Sequence, residues 1–397
     1  MHENSETPHP IRSRGRILTT HAGSLPRPAP LVALYARRHA GEPIDVMGLA
    51  QLASEATHEV IARQHAAGID IANNGEQARE AFFLYVRHRL SGFTGESTPR
   101  KPWSDVEAYP AFAQATKASF ASRPNVSNRA PPAVVSAIAH QAPELNTAEI
   151  EDFLAALEQS GATFEDAFIT APSPGVVTAA FADRFYEDED AYLDAVSQAL
   201  RVEYEAAIAH GLILQIDAPD LAMERHLTFA EQPLKTYLRF VERVVTALNR
   251  ALGALPRDRV RIHVCWGNYE GPHDRDVALT AVLPLLLELH AGGLLLSLAN
   301  PLHQHETAVL RDIPLRPDQY LVAGVIDPLT NFVEHPEVVA ERIERAVDAV
   351  GDPARVLAGT DCGFDTAAGM GRVSADVAWA KLRAMREGAE LASRRLF

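Results

Sequence analysis

The chain has 397 residues, 47% of them hydrophobic and 22% charged, an ordinary globular composition with enough apolar mass for a large core. Its formal net charge of −15 excludes the basic footprint that binding to nucleic-acid phosphates requires. Two cysteines are too few for a disulfide framework, which excludes a small secreted scaffold.

Residues 1–15 lack the apolar core of a signal peptide and read as a disordered tail ahead of a cytoplasmic, reducing-compartment protein. A β-branched run follows at 17–24, then a helix over about 49–67 and a second run at 68–73. Residues 92–146, rich in Pro, Ser and Gly, interrupt the alternation. They read as an insertion between the second and third strands, placed to cap one end of the fold, with 134–139 as an extra strand. Asn146, with Glu149 three places later, has the spacing of a capping box and opens a helix through Phe153 and Leu157.

Six further short apolar runs follow at 164–171, 212–217, 260–265, 294–299, 320–327 and 355–362. All are rich in Val, Ile and Leu without polar alternation, as strands covered on both faces are. Between them lie stretches of helical period: Leu193, Val196, Leu200, Tyr204 and Ile208; Leu238, Val241, Val245 and Leu248; Val339, Ile343, Val347 and Val350. The long apolar stretch 281–302 is broken by Pro284, Glu288, His290, Gly292 and Gly293 into a helix and a strand, and no membrane span is expected. Eight runs alternating with helices predict a parallel α/β sheet closed as a (β/α)8 TIM barrel, one domain over 16–397. No Gly-x-Gly-x-x-Gly follows any run, which disfavours an open doubly wound sheet.

In such a barrel the chemistry sits where strands end, and the polar residues of this chain collect at those points. The runs end at His21, Gly23 and Ser24; at Asn74, Gly75 and Glu76; at Gln215 and Asp217; at His263 and Cys265; at Ser297 and Asn300; at Asp327; and at Asp361 and Cys362. His263 and Cys265, two apart on a strand, point to one side, and Cys362 ends another strand. Two thiolates and an imidazole form a three-ligand set for Zn2+ with an open fourth position. A single strand cysteine is more simply a small buried hydrophobe. Here both cysteines fall at strand ends, one beside a histidine, and that favours a metal.

These strand ends resemble the zinc-binding barrel of cobalamin-independent methionine synthase, and more closely its short single-barrel relatives, which include the epoxyalkane:coenzyme M transferases. The resemblance rests on Thr19-Thr20-His21-Ala22-Gly23-Ser24-Leu25-Pro26-Arg27, Asn74-Gly75-Glu76 and Gln215-Ile216-Asp217-Ala218-Pro219. It continues through His263-Val264-Cys265-Trp266-Gly267-Asn268, Ala299-Asn300-Pro301, Gly324-Val325-Ile326-Asp327 and Gly359-Thr360-Asp361-Cys362-Gly363. It implies a methyl- or alkyltransferase in which zinc on His263, Cys265 and Cys362 binds a small-molecule thiol and presents it to an alkyl donor. It also implies that Gly23, Ser24, Glu76 and Asp217 hold the amino-acid part of homocysteine, and Asn268 and Ser297 are expected to contact the substrate beside them. His21 is expected to face the mouth and to act, with Asp217, as a catalytic residue.

The chain departs from the family twice. Ser297 stands where the family has a zinc-binding Glu, with Glu306, His303 and His305 as the nearest replacements in the following loop. Leu329 stands where the synthase has a general-acid His. A methylcorrinoid protein or an epoxide therefore suits the donor role better than a folate. The competing readings are a zinc hydrolase or lyase on the same barrel, and a non-catalytic barrel. Whether the chain forms a homo-oligomer is left open by the sequence.

Overall fold

The computed structural model describes residues 11–397 apart from 98, 122, 123 and 128. Seven strands form one all-parallel sheet in sequence order: β1 (Ile71–Asn73), β2 (Asp166–Pro172), β3 (Ile213–Asp217), β4 (Val260–Val264), β5 (Gly293–Leu296), β6 (Tyr320–Ile326) and β7 (Val356–Thr360). Every residue of β3 to β7 is buried, because helices cover the outer face and side chains fill the inner one.

The expected first strand, 17–24, does not form a regular ladder. Its backbone nevertheless joins the two edges of the sheet. The Leu18 carbonyl accepts from the Ala358 N–H at 2.9 Å, and the Thr20 N–H donates to the Ala358 carbonyl at 2.9 Å. On the other side the Thr19 carbonyl accepts from the N–H groups of both Asp70 and Ile71 at 3.1 Å. Regular pairing stops there because the Asp70 carboxylate accepts from the Thr19 N–H (2.8 Å) and hydroxyl (2.9 Å). Arg16 and Arg386 hold that carboxylate in turn. The result is a barrel-like α/β fold.

The expected tail lies partly outside the described residues, at 1–10. Of the rest, Ile11 joins the inner core, and Ser13 is fixed by its N–H to the Ala354 carbonyl and its hydroxyl to the Val356 carbonyl.

The helical stretches form Val46–Ala66, Glu189–Ala209, Leu234–Leu252 and Pro336–Val350. Asp45 and Asp188 cap the first two by accepting from the N–H groups of Gly48 and Ala191. The broken apolar stretch becomes helix Leu279–Leu286 followed by β5, and no helix among the described residues is long and apolar enough to cross a membrane.

Two local expectations do not hold. Helix Pro143–Ser160 starts one turn earlier than the capping-box spacing implied, with Pro143 in its first turn. Asn146 is buried inside the helix, where its side-chain oxygen accepts from Arg89, and Glu149 pairs with Arg79 and Arg89. Residues 134–139 form no strand: Val134 makes one isolated bridge to Asp183. The Ala137 carbonyl is taken by the Ser91 hydroxyl, and the Ala139 carbonyl by the Ser91 backbone N–H at 2.9 Å with the same hydroxyl at 3.3 Å, so no regular ladder forms.

Inside the sheet, Ile71, Phe168, Ile213, Leu295, Val322 and Leu357 form a compact inner core. Residues two and four places beyond Ile213 share its inward direction, so Gln215 and Asp217 project toward the C-terminal end of that core.

Candidate metal centre and cavity

Strands β3 and β4 pair with Gln215 opposite Arg261 and Asp217 opposite His263. Cys265 follows β4 two residues after His263, and Cys362 lies two residues past the end of β7. Both cysteines are buried and free, with their Sγ atoms 4.0 Å apart. With a ring nitrogen of His263, all three ligand atoms lie within 4.8 Å of one another, the one such His/Cys/Asp/Glu group among the described residues.

His263 Nδ1 lies 3.0 Å from Asp217 Oδ1, and Nε2 lies 3.1 Å from the Asp361 carbonyl oxygen. Burial works against a charged imidazole here, but the Cys265 thiolate and the Asp217 carboxylate outweigh it and hold the pKa up at about 10. The Cys265 thiol is held well below its ordinary value by the hydrogen bond from Cys362 and, against burial, by His263. Cys362 is pushed well up by its bond to Cys265 and by burial. Without a metal the trio is therefore a thiolate, a thiol and an imidazolium, and His263 and Cys362 each release a proton when they become ligands.

A cavity of about 700 Å³ opens over this trio. Four of the residues that line it carry buried polar atoms without a partner among the described residues: Ser24 Oγ, Glu76 Oε2, Arg100 Nε and Asn268 Oδ1. Glu76 adopts φ 56°, a left-handed backbone uncommon outside glycine. Its Oε1 accepts from the Thr170 hydroxyl at 3.0 Å. Burial and the nearby Asp217 charge raise its pKa to about 7, against the pull of Arg79 and Arg27. Gly23, at φ 123°, is required by close approach: a Cβ there would stand 2.7 Å from Thr170 Cγ2 and 3.0 Å from Glu76 Oε1. Arg100, Trp103 and Phe112, from the 92–146 segment, complete the cavity wall.

The structure does not bring every expected residue to this cavity. His21 is buried away from it, with Nε2 bonded to Gln64 Oε1 at 2.9 Å and Nδ1 accepting from the Gly23 N–H at 3.2 Å. Burial lowers its pKa to about 4, so it is a neutral ring whose Nε2–H goes to Gln64 and whose Nδ1 lone pair is taken by the Gly23 N–H. Ser297 lines a narrow recess beside both cysteines, but its hydroxyl donates to the Asp361 carbonyl at 2.6 Å.

The suggested replacement ligands do not join the trio. His303 lies between Asp276 and Glu306, at 2.8 Å from each, and His305 is exposed. The Glu306 side chain also accepts from the Leu279 N–H at 2.6 Å. Leu329 lines the same recess as Ser297, its N–H bonded to the Asp327 carboxylate.

Two groups escaped the sequence reading. One is a buried cluster in which Asp276 meets His226, His273 and His303, at 2.8–2.9 Å each, while the Tyr269 hydroxyl donates to Asp105 at 2.5 Å. Its members are scattered from 105 to 306 with no common spacing. The other is Arg261 and its pairing with Gln215, which the sequence marked only as a strand-end residue. A signal for that pair was present, since each precedes a candidate site residue by two places on an otherwise apolar strand.

No family model matches the chain. Among curated proteins it is 24% identical to the methionine synthase of Sulfurisphaera tokodaii over 347 residues, 87% of this chain and 85% of that protein. It is likewise 24% identical to the methionine synthase of Saccharolobus solfataricus over 375 residues, 94% of each. Among solved structures, the B12-independent methionine synthase from Shewanella sp. W3-18-1, in complex with selenomethionine, shares its fold. That likeness has a TM-score of 0.67 at 20% identity and covers 96% of this chain and 99% of the other.

Proposed function

We propose that this chain, a relative of the methionine synthases, transfers a methyl or alkyl group to the sulfur of a small amino-acid thiol of the homocysteine type. The observation that carries the reading is the convergence of the chain's two cysteines and a carboxylate-backed histidine beneath a cavity into which Ser24, Glu76 and Asn268 bring unpartnered buried oxygens.

The trio suits zinc. Two sulfurs 4.0 Å apart can share one ion at about 2.3 Å each, and a thiolate–imidazole set is characteristic of that metal. Bound on His263, Cys265 and Cys362, such an ion supplies one thing: a lower pKa for a coordinating thiol. Ser297, its hydroxyl already given to Asp361, leaves three protein ligands whose charge balances that of the ion.

The remaining work falls to the chain's own side chains. Glu76 Oε2 and Asn268 Oδ1 are acceptors for a substrate ammonium, and the Ser24 hydroxyl is a donor for its carboxylate. Asp217 lines the same cavity and also orients His263 through Nδ1. The cavity exceeds the volume of an amino acid, which leaves room for the alkyl group of a donor. With Leu329 in place of a proton-donating histidine, a methylcorrinoid, whose cobalt leaves without a proton, suits the donor role better than a folate; an epoxide, the other donor class, would take the proton for its opened oxygen from solvent. We read the segment 18–20 as the first strand of a (β/α)8 barrel, and 92–146 as an insertion over its mouth.

The test is incubation of zinc-loaded protein with homocysteine and methylcobalamin, an epoxide or methyltetrahydrofolate in turn, with mass spectrometry of the thiol. S-alkylation with one of the first two, lost in Cys362→Ala, is the expected result. No alkylated thiol with any donor overturns the reading.

A further inference from the structure

Arg261 is fully buried on the inner side of β4, its guanidinium 3.9 Å over the ring of Phe168. Branched apolar side chains ordinarily fill such an interior, and a guanidinium placed there without a carboxylate partner is costly. Among the described residues Arg261 forms no ion pair. Its donors go to neutral groups: Nε to Gln215 Oε1 at 2.9 Å, Nη1 to the Thr20 hydroxyl at 3.2 Å and Nη2 to the His21 carbonyl at 3.3 Å.

The consequence runs up the β3–β4 pair. A guanidinium only donates, so Gln215 must turn its carbonyl oxygen toward Arg261. Its NH2 group then faces the mouth and donates to Asp217 Oδ1 at 2.8 Å and to the Ala22 carbonyl at 2.7 Å. That same Oδ1 takes the proton on His263 Nδ1. Fixed in this way, Asp217 holds Nδ1, and His263 would meet a cation through Nε2, which without a metal lies 3.1 Å from the Asp361 carbonyl oxygen. The register places the four residues as two facing pairs, Arg261 with Gln215 and His263 with Asp217.

We infer that Arg261 is a positioning residue for His263, acting through Gln215 and Asp217 from inside the sheet; the inference rests on the metal-site reading above. The test measures zinc and cobalt dissociation constants by chelator competition on the full chain, with the cobalt visible bands and thermal unfolding recorded alongside. Gln215→Glu keeps an acceptor against Arg261 but cannot donate to Asp217. It is expected to lower metal affinity on the order of 10- to 100-fold and to shift the cobalt bands while the fold persists. Arg261→Met is expected to do the same, and in an Asp217→Asn background neither change lowers affinity further.

Parent-like affinity and bands in both variants overturn the inference, as do losses that multiply independently with that of Asp217→Asn. Should Arg261→Met fail to fold, Gln215→Glu decides alone. A parent chain that binds neither metal overturns the metal-site reading itself, a result distinct from a normal parent with unaffected variants.

Discussion

Glu76 combines a left-handed backbone, a buried side chain and an oxygen without a partner, three features that each oppose stability. Its pKa, raised to about 7 by burial and then by Asp217, exceeds that of a glutamate in an unfolded chain, roughly 4.3. Between those values the folded chain holds a proton that the unfolded chain has released. Stability therefore falls as pH climbs from about 4 to about 7 and stays lower above that. Glu76→Gln is expected to raise the Tm above pH 7, by the equivalent of about 1–3 kcal/mol, and to flatten its pH dependence. The same change should raise the KM for an amino-acid thiol on the order of 10-fold. A Tm no higher than the parent's, or an unchanged KM, contradicts a substrate-facing Glu76. At this scale His263, Cys265 and Cys362 were legible, because a strand's period of two and its end position settle where a side chain points. His21 was not. Nothing near Thr19-Thr20-His21 distinguishes an imidazole aimed at the mouth from one bonded to Gln64, 43 residues away.

The elements meet at the Asp276 cluster. It ties together the loop after β3, through His226; the loop after β4, through Tyr269 and His273; the loop after β5, through His303; and the 92–146 segment, through Asp105. For His303, burial disfavours the charge, but Asp276 and Glu306 outweigh it and hold the pKa up at about 9; His273 is raised by the same Asp276. A histidine raised in the folded state stabilises fully below its unfolded pKa of about 6.5 and loses that contribution as pH rises through its folded value. The clasp should therefore weaken between about pH 6.5 and 9. His303 also stacks on Trp266 at 3.8 Å, close enough for its protonated ring to be expected to quench the indole. Indole emission is expected to rise in a step near pH 9 that is missing in His303→Gln. A step that survives the substitution, or no step, contradicts this assignment. The helices were legible because the 3.6-residue period of one buried face marks them. The pairing of 134–139 and the start of helix Pro143–Ser160 were not, because Ser91, Arg79 and Arg89, remote in sequence, take the groups that local rules assign elsewhere.

At the scale of the molecule, alternation of apolar runs with helices was enough to predict a parallel sheet in sequence order, since each crossover returns the chain to the neighbouring position. It was not enough to show how the sheet's edges meet. That depends on Asp70 drawing Thr19 out of a regular ladder while the backbone still bonds to β1 and β7. Joining the edges sets the ends of β3, β4 and β7 around one cavity, so that residues as far apart as Asp217 and Cys362 share it. The central claim is that this shared point holds a metal that takes a substrate thiol. Its most direct test is the absorption spectrum of the cobalt-substituted protein during titration with homocysteine. The account predicts one cobalt per chain, sulfur-to-cobalt charge-transfer absorption from two cysteines, and a further increase saturating at one homocysteine per chain, with binding lost in Cys362→Ala. A chain that binds no cobalt, or a cobalt spectrum that homocysteine and other thiols leave unchanged, would contradict it.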